Sequence, residues 1–219
     1  MPGCVVEVFG TPAAEEQYAM LAAAAPVWTL VDDRALASLS DSVSPAGVVA
    51  LCRFVDRPID HLLDRTPRLV AICADIRDPG NAGTVIRTAD AAGADAVVLA
   101  GSSVDLYNPK TVRASVGSAF RVPIAVTPDA ASAVQAARAA GLTVVAADGA
   151  GEVDLHQAGG LLAGPTAWLF GNEAWGLPAD LQALADHRVQ IPIRGRAESL
   201  NLATAAALCL YESARHHRG

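Results

Sequence analysis

Apolar residues in this chain come in short β-branched runs separated by longer alanine-rich stretches, and the alternation becomes regular from Leu69 onward. Runs of this kind, bounded by Gly, Pro or Asp, predict buried strands. In the first part they place strands at Val5 to Phe9, Val27 to Val31 and Val48 to Arg53, with a helical stretch from Ala13 to Ala25 and a polar one from Arg34 to Asp41. The second part reads strand Leu69 to Ala74, helix Ala82 to Ala92, strand Ala96 to Leu99, helix Pro109 to Ser118, strand Val122 to Val126, helix Ala130 to Ala140 and strand Leu142 to Ala146. Two further strands, Thr166 to Phe170 and Arg188 to Ile193, precede a helix from Leu200 to Glu212. Strands alternating with helices at this spacing predict an α/β fold: a mostly parallel sheet with helices on both faces. The charged segment Asp56 to Pro67, bracketed by Pro58 and Pro67, reads as a linker with room for a short helix within it, dividing the chain into a small α/β unit over residues 1–66 and a larger domain over 67–219.

Ligand sites in parallel α/β sheets lie beyond the carboxyl ends of the strands, and three loops there carry polar residues and glycine. Asp75 to Arg87 (D-I-R-D-P-G-N-A-G-T-V-I-R) leaves a strand, turns at Pro79-Gly80 and enters a helix that Asn81 opens and that carries Arg87. It lacks G-K-[ST] and G-x-G-x-x-G, which argues against a nucleoside triphosphate or a dinucleotide. The second loop is Ala147 to Gly151; the third, Gly171 to Gly176, holds Asn172 and Glu173 on a turn. A fourth polar stretch, Gly195 to Ser199, leads into the last helix, so Ser199 falls near a helix N-terminus that attracts anions. Taken singly, Ser199 reads as a cap, Asn172 as a turn residue and Glu173 as a solvated charge. Their joint occurrence points to a site.

A chain of 219 residues with 52% apolar content can bury a substantial core, and no segment is apolar for long enough to span a bilayer. Met1 to Gly10 has no basic region ahead of its apolar residues, which predicts a cytoplasmic protein without a signal peptide. Cys4, Cys52, Cys73 and Cys209 form no C-x-x-C pair; the last three lie in apolar runs and read as buried free thiols. The five histidines show no metal spacing, and His216 and His217 read as a polar tail after the last helix. The formal charge of −7 excludes indiscriminate nucleic-acid binding by the whole surface but leaves room for a local basic face. Lys110 is the one lysine among sixteen positive residues, a usage suited to bidentate phosphate contacts.

The motifs N-A-G-T-V-I-R (Asn81 to Arg87), F-G-N-E-A-W-G-L (Phe170 to Leu177) and I-P-I-R-G-R-A-E-S-L-N (Ile191 to Asn201) resemble, in order, those of the SpoU (TrmH-type) RNA 2′-O-ribose methyltransferases of the SPOUT superfamily. Tyr107 to Pro123 is similar as well, and the resemblance covers roughly residues 69 to 215. It implies a C-terminal deep trefoil knot, a homodimer packed partly through Leu200 to Tyr211, and S-adenosylmethionine held in the knot. The cofactor walls it implies are Ala147, Gly171, Asn172, Ile191, Leu200 and Asn201. The residues 1–66 resemble the family's small RNA-recognition domain, with two departures. This unit starts directly on a strand, so the usual leading segment is expected to be absent, and it holds four Arg against nine acidic residues, a net of −5. RNA recognition there would depend on a face bearing Arg53, Arg57 and Arg65.

The implied reaction is attack by a ribose 2′-hydroxyl on the cofactor's methyl group, with ribosomal RNA favoured over transfer RNA because of the N-terminal unit. The family places Arg87 at the reacting hydroxyl. A guanidinium has a pKa above about 12 and only donates, so Arg87 is expected to grip phosphate and stabilise alkoxide charge, not to act as base. Asn81, Glu173, Ser199 and Asn201 are expected around Arg87 and the ribose, with Glu173 orienting either Arg87 or the loop backbone. Lys110, Arg113 and Arg121 are candidate RNA phosphate contacts, and Trp175 stacks on a base or caps its loop. A catalytically silent RNA-binding or ribosome-assembly protein on the same fold is the alternative.

Overall fold

The computed structural model describes residues 3–40 and 46–217; Met1 and Pro2, and Asp41 at the end of the expected polar helix, lie outside them. The chain divides into two compact units, Met1–Val55 and Asp56–Gly219. The division falls ahead of the segment read as a linker, not at Thr66. In the first unit, β1 (Val5–Gly10), β2 (Trp28–Leu30) and β3 (Val48–Cys52) form a sheet in the order β2-β1-β3, parallel between β1 and β2 and antiparallel between β1 and β3. The expected single helix is two, α1 (Pro12–Gln17) and α2 (Ala19–Ala24), because Tyr18 leaves helical geometry at φ −114° and ψ 40°. α3 (Asp33–Ser38) is capped by Asp32, whose side chain accepts from the Ala35 amide.

The second unit begins with α4 (Ile59–Leu63), which lies inside the supposed linker and buries Leu62 and Leu63. It continues with β4 (Leu69–Ala74), α5 (Pro79–Ala92), β5 (Ala96–Ala100), α6 (Pro109–Ser115), β6 (Ile124–Thr127), α7 (Ala130–Ala139) and β7 (Thr143–Ala147). Then come β8 (Val153–Asp154), α8 (Gly159–Leu162), β9 (Thr166–Phe170), α9 (Ala179–Gln182), β10 (His187–Gln190) and α10 (Leu202–His216). The seven strands pair in the order β6-β5-β4-β9-β7-β10-β8, every pair parallel.

Strand residues alternate between two cores because successive side chains point to opposite faces. Leu69, Ala71 and Cys73 of β4 join Trp168 and Phe170 of β9 beneath α5 and α10. Val70, Ile72 and Ala74 join Leu169 beneath α4 and α7. Burial on both faces explains why β4 and β9 read as unbroken apolar runs. Trp168 stacks on Phe170 at 6.1 Å between ring centres, and its indole N–H donates to Ser213 Oγ at 2.8 Å, fixing α10 on the sheet.

Element ends differ from expectation where proline and capping decide them. Asp78 caps α5, accepting from the Asn81 amide at 2.8 Å with Pro79 in the first turn, so the helix starts earlier than Ala82 and Asn81 lies inside it. Pro123 has no N–H to give, and β6 starts after it. β10 stops at Gln190, short of Pro192. α10 runs on to His216, whose Nε2 lies 3.2 Å from Glu212 Oε1, so His216 belongs to the helix and not to a tail. Cys73 and Cys209 are buried, and burial pushes the Cys73 thiol up to about 12, aided by the nearby Glu173 carboxylate. Cys52, expected to be buried, is half-buried beside Cys4. Among the described residues no helix is long and apolar enough to cross a membrane.

Gly83 sets how closely α5 and α6 approach: a Cβ there would lie 2.4 Å from the Thr111 carbonyl oxygen and 2.9 Å from the Ser115 amide nitrogen. These are backbone atoms that cannot swing aside. Gly83→Ala is expected to lower unfolding free energy by about 1–3 kcal/mol, the usual cost of overpacking, read from urea titration with unchanged slope; no loss of stability would show that the helix pair is loosely held.

Candidate active site

Four loops converge at the carboxyl edge of the large sheet. β4 ends at Ala74, and Asp75 turns the chain in a left-handed conformation, φ 57°, uncommon for a residue with a side chain. Its carboxylate accepts from the Ser102 amide at 2.6 Å, which holds the turn. β9 ends at Phe170, and Gly171 enters a tight turn closed by paired backbone hydrogen bonds between Asn172 and Gly176, each 2.9 Å. A Cβ on Gly171 would lie 2.3 Å from the Gly176 carbonyl carbon, so this turn admits glycine alone.

Side chains lock these loops to one another. Asn172 donates through Nδ2 to the Asp75 carbonyl at 2.7 Å and accepts through Oδ1 from the Ala174 amide at 2.8 Å. The Glu173 carboxylate accepts from the amides of Arg77 and Asp78 and from Asn81 Nδ2, all at 3.2 Å. Asn81 in turn accepts through Oδ1 from Asn201 Nδ2 at 2.9 Å. Asn201 is the cap of α10, its Oδ1 accepting from the Ala203 and Thr204 amides at 2.9 and 3.3 Å. Glu173, Asn81 and Asn201 thus form one hydrogen-bonded chain ending on a helix N-terminus. Ser199, expected near that N-terminus, stands two residues before the cap on an exposed loop.

Burial raises the Glu173 pKa, but hydrogen bonds from its own amide, the Asn81 side chain and the Arg77 and Asp78 amides outweigh it, and the carboxyl sits below its ordinary value. The described hydrogen bonds of Glu173 thus run to the first loop's backbone and to Asn81.

Between the loops lies a cavity of about 540 Å³, within the size range of small-molecule sites. The six residues expected as cofactor walls, Ala147, Gly171, Asn172, Ile191, Leu200 and Asn201, all line it, as do Asn81, Glu173 and Ser199. Phe170 and Val189 add apolar floor, and Asp148 and Glu198 add carboxylates that had not been singled out, although both fall within loops that had. None of the described lining residues is Lys or Arg. Such a lining suits a ligand with an apolar ring and a positive centre and opposes a polyphosphate. Beneath the wall, the Arg188 guanidinium pairs with Glu152 at 3.1 Å and with Asp148 at 3.5 Å, which fixes the loop after β7.

Arg87 does not line the cavity; it is exposed on α5. Six residues beyond Asn81 is about 9 Å along a helix and a different face. Lys110 pairs with Asp78 at 3.2 Å beside the start of α5, and Arg113 is exposed on α6. Arg121 lies at the opposite, amino-terminal edge of the sheet, bound to Asp90 at 2.8 Å. Trp175 is 59% exposed, which leaves its face open to a base and shows little packing against its own loop.

A parallel sheet with a cation-tolerant cavity walled by three knitted loops defines a domain built to hold a small organic cofactor at its carboxyl edge. Residues 68–211 match the SpoU rRNA Methylase family, and the chain belongs to that family. It is 38% identical over 177 residues to the 23S rRNA (uridine(2479)-2′-O)-methyltransferase of Streptomyces viridochromogenes, a match covering 78% of this chain and 61% of that protein. It is 35% identical over 193 residues to the 23S rRNA (guanosine(2553)-2′-O)-methyltransferase RlmP of Bacillus subtilis, covering 87% and 72%. The fold superposes on an AdoMet-bound rRNA methyltransferase from Sinorhizobium meliloti with a TM-score of 0.81 and 33% identity, over 97% of this chain and 80% of that one.

The Glu173 ties are complete above its unfolded pKa, near 4.5, and are lost as pH falls through its lower folded value. Glu173→Gln keeps the shape and removes the charge. It is expected to weaken S-adenosylmethionine binding about tenfold at pH 7, the low end for removal of a supporting partner, and to flatten the loss of affinity seen on acidification. Calorimetric titration at pH 7 and well below pH 4.5 checks this; equal affinities for both proteins at both pH values would contradict it.

Proposed function

We propose that the protein is an S-adenosylmethionine-dependent RNA 2′-O-ribose methyltransferase acting on ribosomal RNA. The observation that carries this reading is the Glu173–Asn81–Asn201 chain, which joins the family's three motifs at the mouth of a cavity lined by carboxylates and apolar groups. Its relatives' names point to the same chemistry on 23S rRNA. Ala147, Ile191 and Leu200 would hold the adenine, and backbone groups at Gly171 and Asn172 would supply its few polar contacts. The bound cofactor supplies an electrophilic methyl group on a sulfonium, whose charge the nearby Asp148, Glu173 and Glu198 favour.

The ribose 2′-oxygen forms a bond to the methyl carbon as the carbon–sulfur bond breaks, and the hydroxyl proton must leave. Asn81 and Asn201 are held by the chain in one orientation, and Ser199 stands beside them at the cavity wall; together they position the ribose. Arg87, exposed on α5, meets the RNA and not the cofactor: it grips a phosphate of the target nucleotide and stabilises developing alkoxide charge, while the proton leaves through that phosphate or a water. Lys110, Arg113 and Arg121 add phosphate contacts, and the residues 1–66 contribute RNA recognition.

The same reading includes a deep trefoil knot, a homodimer and a cytoplasmic location. The knot is supported by a strand order that returns β9 and β10 beside β4 and β7, and by α10 packing back against β4, β7 and β9. Dimer formation is supported by Leu208 and Tyr211, large side chains 44% and 52% exposed on α10.

Incubating the protein with ribosomal RNA and methyl-labelled cofactor should leave label in alkali-resistant dinucleotides, because a methylated 2′-oxygen blocks cleavage there. Cofactor binding without RNA label would favour the silent RNA-binding protein instead. Arg87→Lys keeps the charge and loses the fork; it should lower kcat at least about tenfold in single-turnover assays, given the 100-fold or greater effects of removing charge-stabilising donors. A kcat near that of the unaltered enzyme would remove Arg87 from the reaction.

A further inference from the structure

The larger unit has a second cleft, of about 360 Å³, at the amino-terminal edge of the sheet. It lies among the starts of β4, β5 and β6, a strand's length, roughly 20 Å, from the cofactor cavity. Its wall carries Arg57, His61, Arg65 and Arg121 together with Asp90 and Asp95. Both carboxylates are already engaged within the fold. Asp90 accepts from Ser118 Oγ at 2.7 Å and from Arg121 Nε at 2.8 Å. Asp95 accepts from the Arg68 and Leu69 amides at 2.7 and 3.0 Å, tying down the start of β4. Arg57, Arg65 and Arg121 thus line the cleft beside two carboxylates, one of them paired with Arg121, which gives it a basic excess on a protein whose formal charge is −7. The cleft is bounded by α4, which carries His61, and by the turns that lead into β4, β5 and β6, which carry Arg65 and Arg121. Of the arginines expected to share a face, Arg57 and Arg65 line this cleft, and Arg53 lies in the first unit, donating to the Gly3 carbonyl at 3.1 Å.

We propose that this cleft is a second RNA-contact site, binding backbone phosphates of the substrate RNA away from the reacting nucleotide. The proposal rests on the RNA methyltransferase reading of the other edge. An acidic protein that must hold a polyanion has to do so through local basic sites, and phosphate contacts position without reading sequence.

The test is binding of unmodified 23S rRNA transcript across a salt series by the intact protein, by Arg57→Gln/Arg65→Gln and by Arg57→Lys/Arg65→Lys, with S-adenosylmethionine affinity measured alongside as a check on the other edge. Each phosphate contact contributes somewhat less than one unit to the slope of log affinity against log salt. The Gln pair should bind RNA roughly three- to tenfold more weakly at 0.15 M salt with a slope smaller by about one to two, the Lys pair should keep the slope, and cofactor affinity should be unchanged in both. An unchanged slope in the Gln pair, or equal losses in both pairs, overturns the second site while leaving the methyltransferase reading intact. Failure of the unaltered protein to bind the transcript overturns both.

Discussion

The side-chain amide of Asn81 is the constraint on which the candidate site depends. It donates to Glu173, 92 residues away, and accepts from Asn201, 120 residues away. Only a group that donates and accepts at once can join a carboxylate to another amide in this way, which a carboxylate, an ammonium or an apolar side chain cannot do. Around it, Asp78 fixes the helix that presents Asn81, the Asn172 amide fastens the Gly171 turn to Asp75, and Asn201 caps the helix it sits on. Three loops together form the walls of a cavity, their polar groups satisfied by one another.

Charge is arranged to the same end. Asp148, Glu173 and Glu198 face a cavity whose described lining has no basic side chain, and basic residues stand outside it, with Lys110 beside the start of α5, Arg87 and Arg113 on exposed helix faces and Arg121 at the far edge of the sheet. A cationic cofactor favours such an acidic lining, and the basic residues occupy other surfaces of the same small domain. The fold provides that separation, since the carboxyl edge of a parallel sheet opens into loops while its amino edge is bounded by strand starts and α4.

Much of this was legible in the sequence, for physical reasons that differ by element. β4 and β9 declared themselves because strands buried on both faces must be apolar throughout, and their bounds agree with expectation to the residue. The motif residues of the cavity wall declared themselves because polar residues and glycine at strand ends are costly unless used. Helix starts were misplaced by residues with two roles: Pro79 and Gly80 read as a turn but begin α5, and Asn201 read as a site residue but also caps α10. α4 was foreseen only as a short helix within a linker, since its burial of Leu62 and Leu63 depends on a sheet distant in sequence. The sequence left Glu173 between two partners, and its hydrogen bonds to the Arg77 and Asp78 amides join loops that lie far apart along the chain. Strand order and the far-edge cleft leave no local pattern at all.

The central claim is that the Asn81 and Asn201 amides work as a pair to build the cavity. A double-mutant cycle on S-adenosylmethionine affinity, comparing the intact protein with Asn81→Ala, Asn201→Ala and the double variant, isolates that pair from the loss of the α10 cap. A coupling energy above about 0.5 kcal/mol is predicted, the range for side chains in direct contact within one network. Additive losses would show that the loops are held by other means and that the three motifs share a neighbourhood without forming a single site.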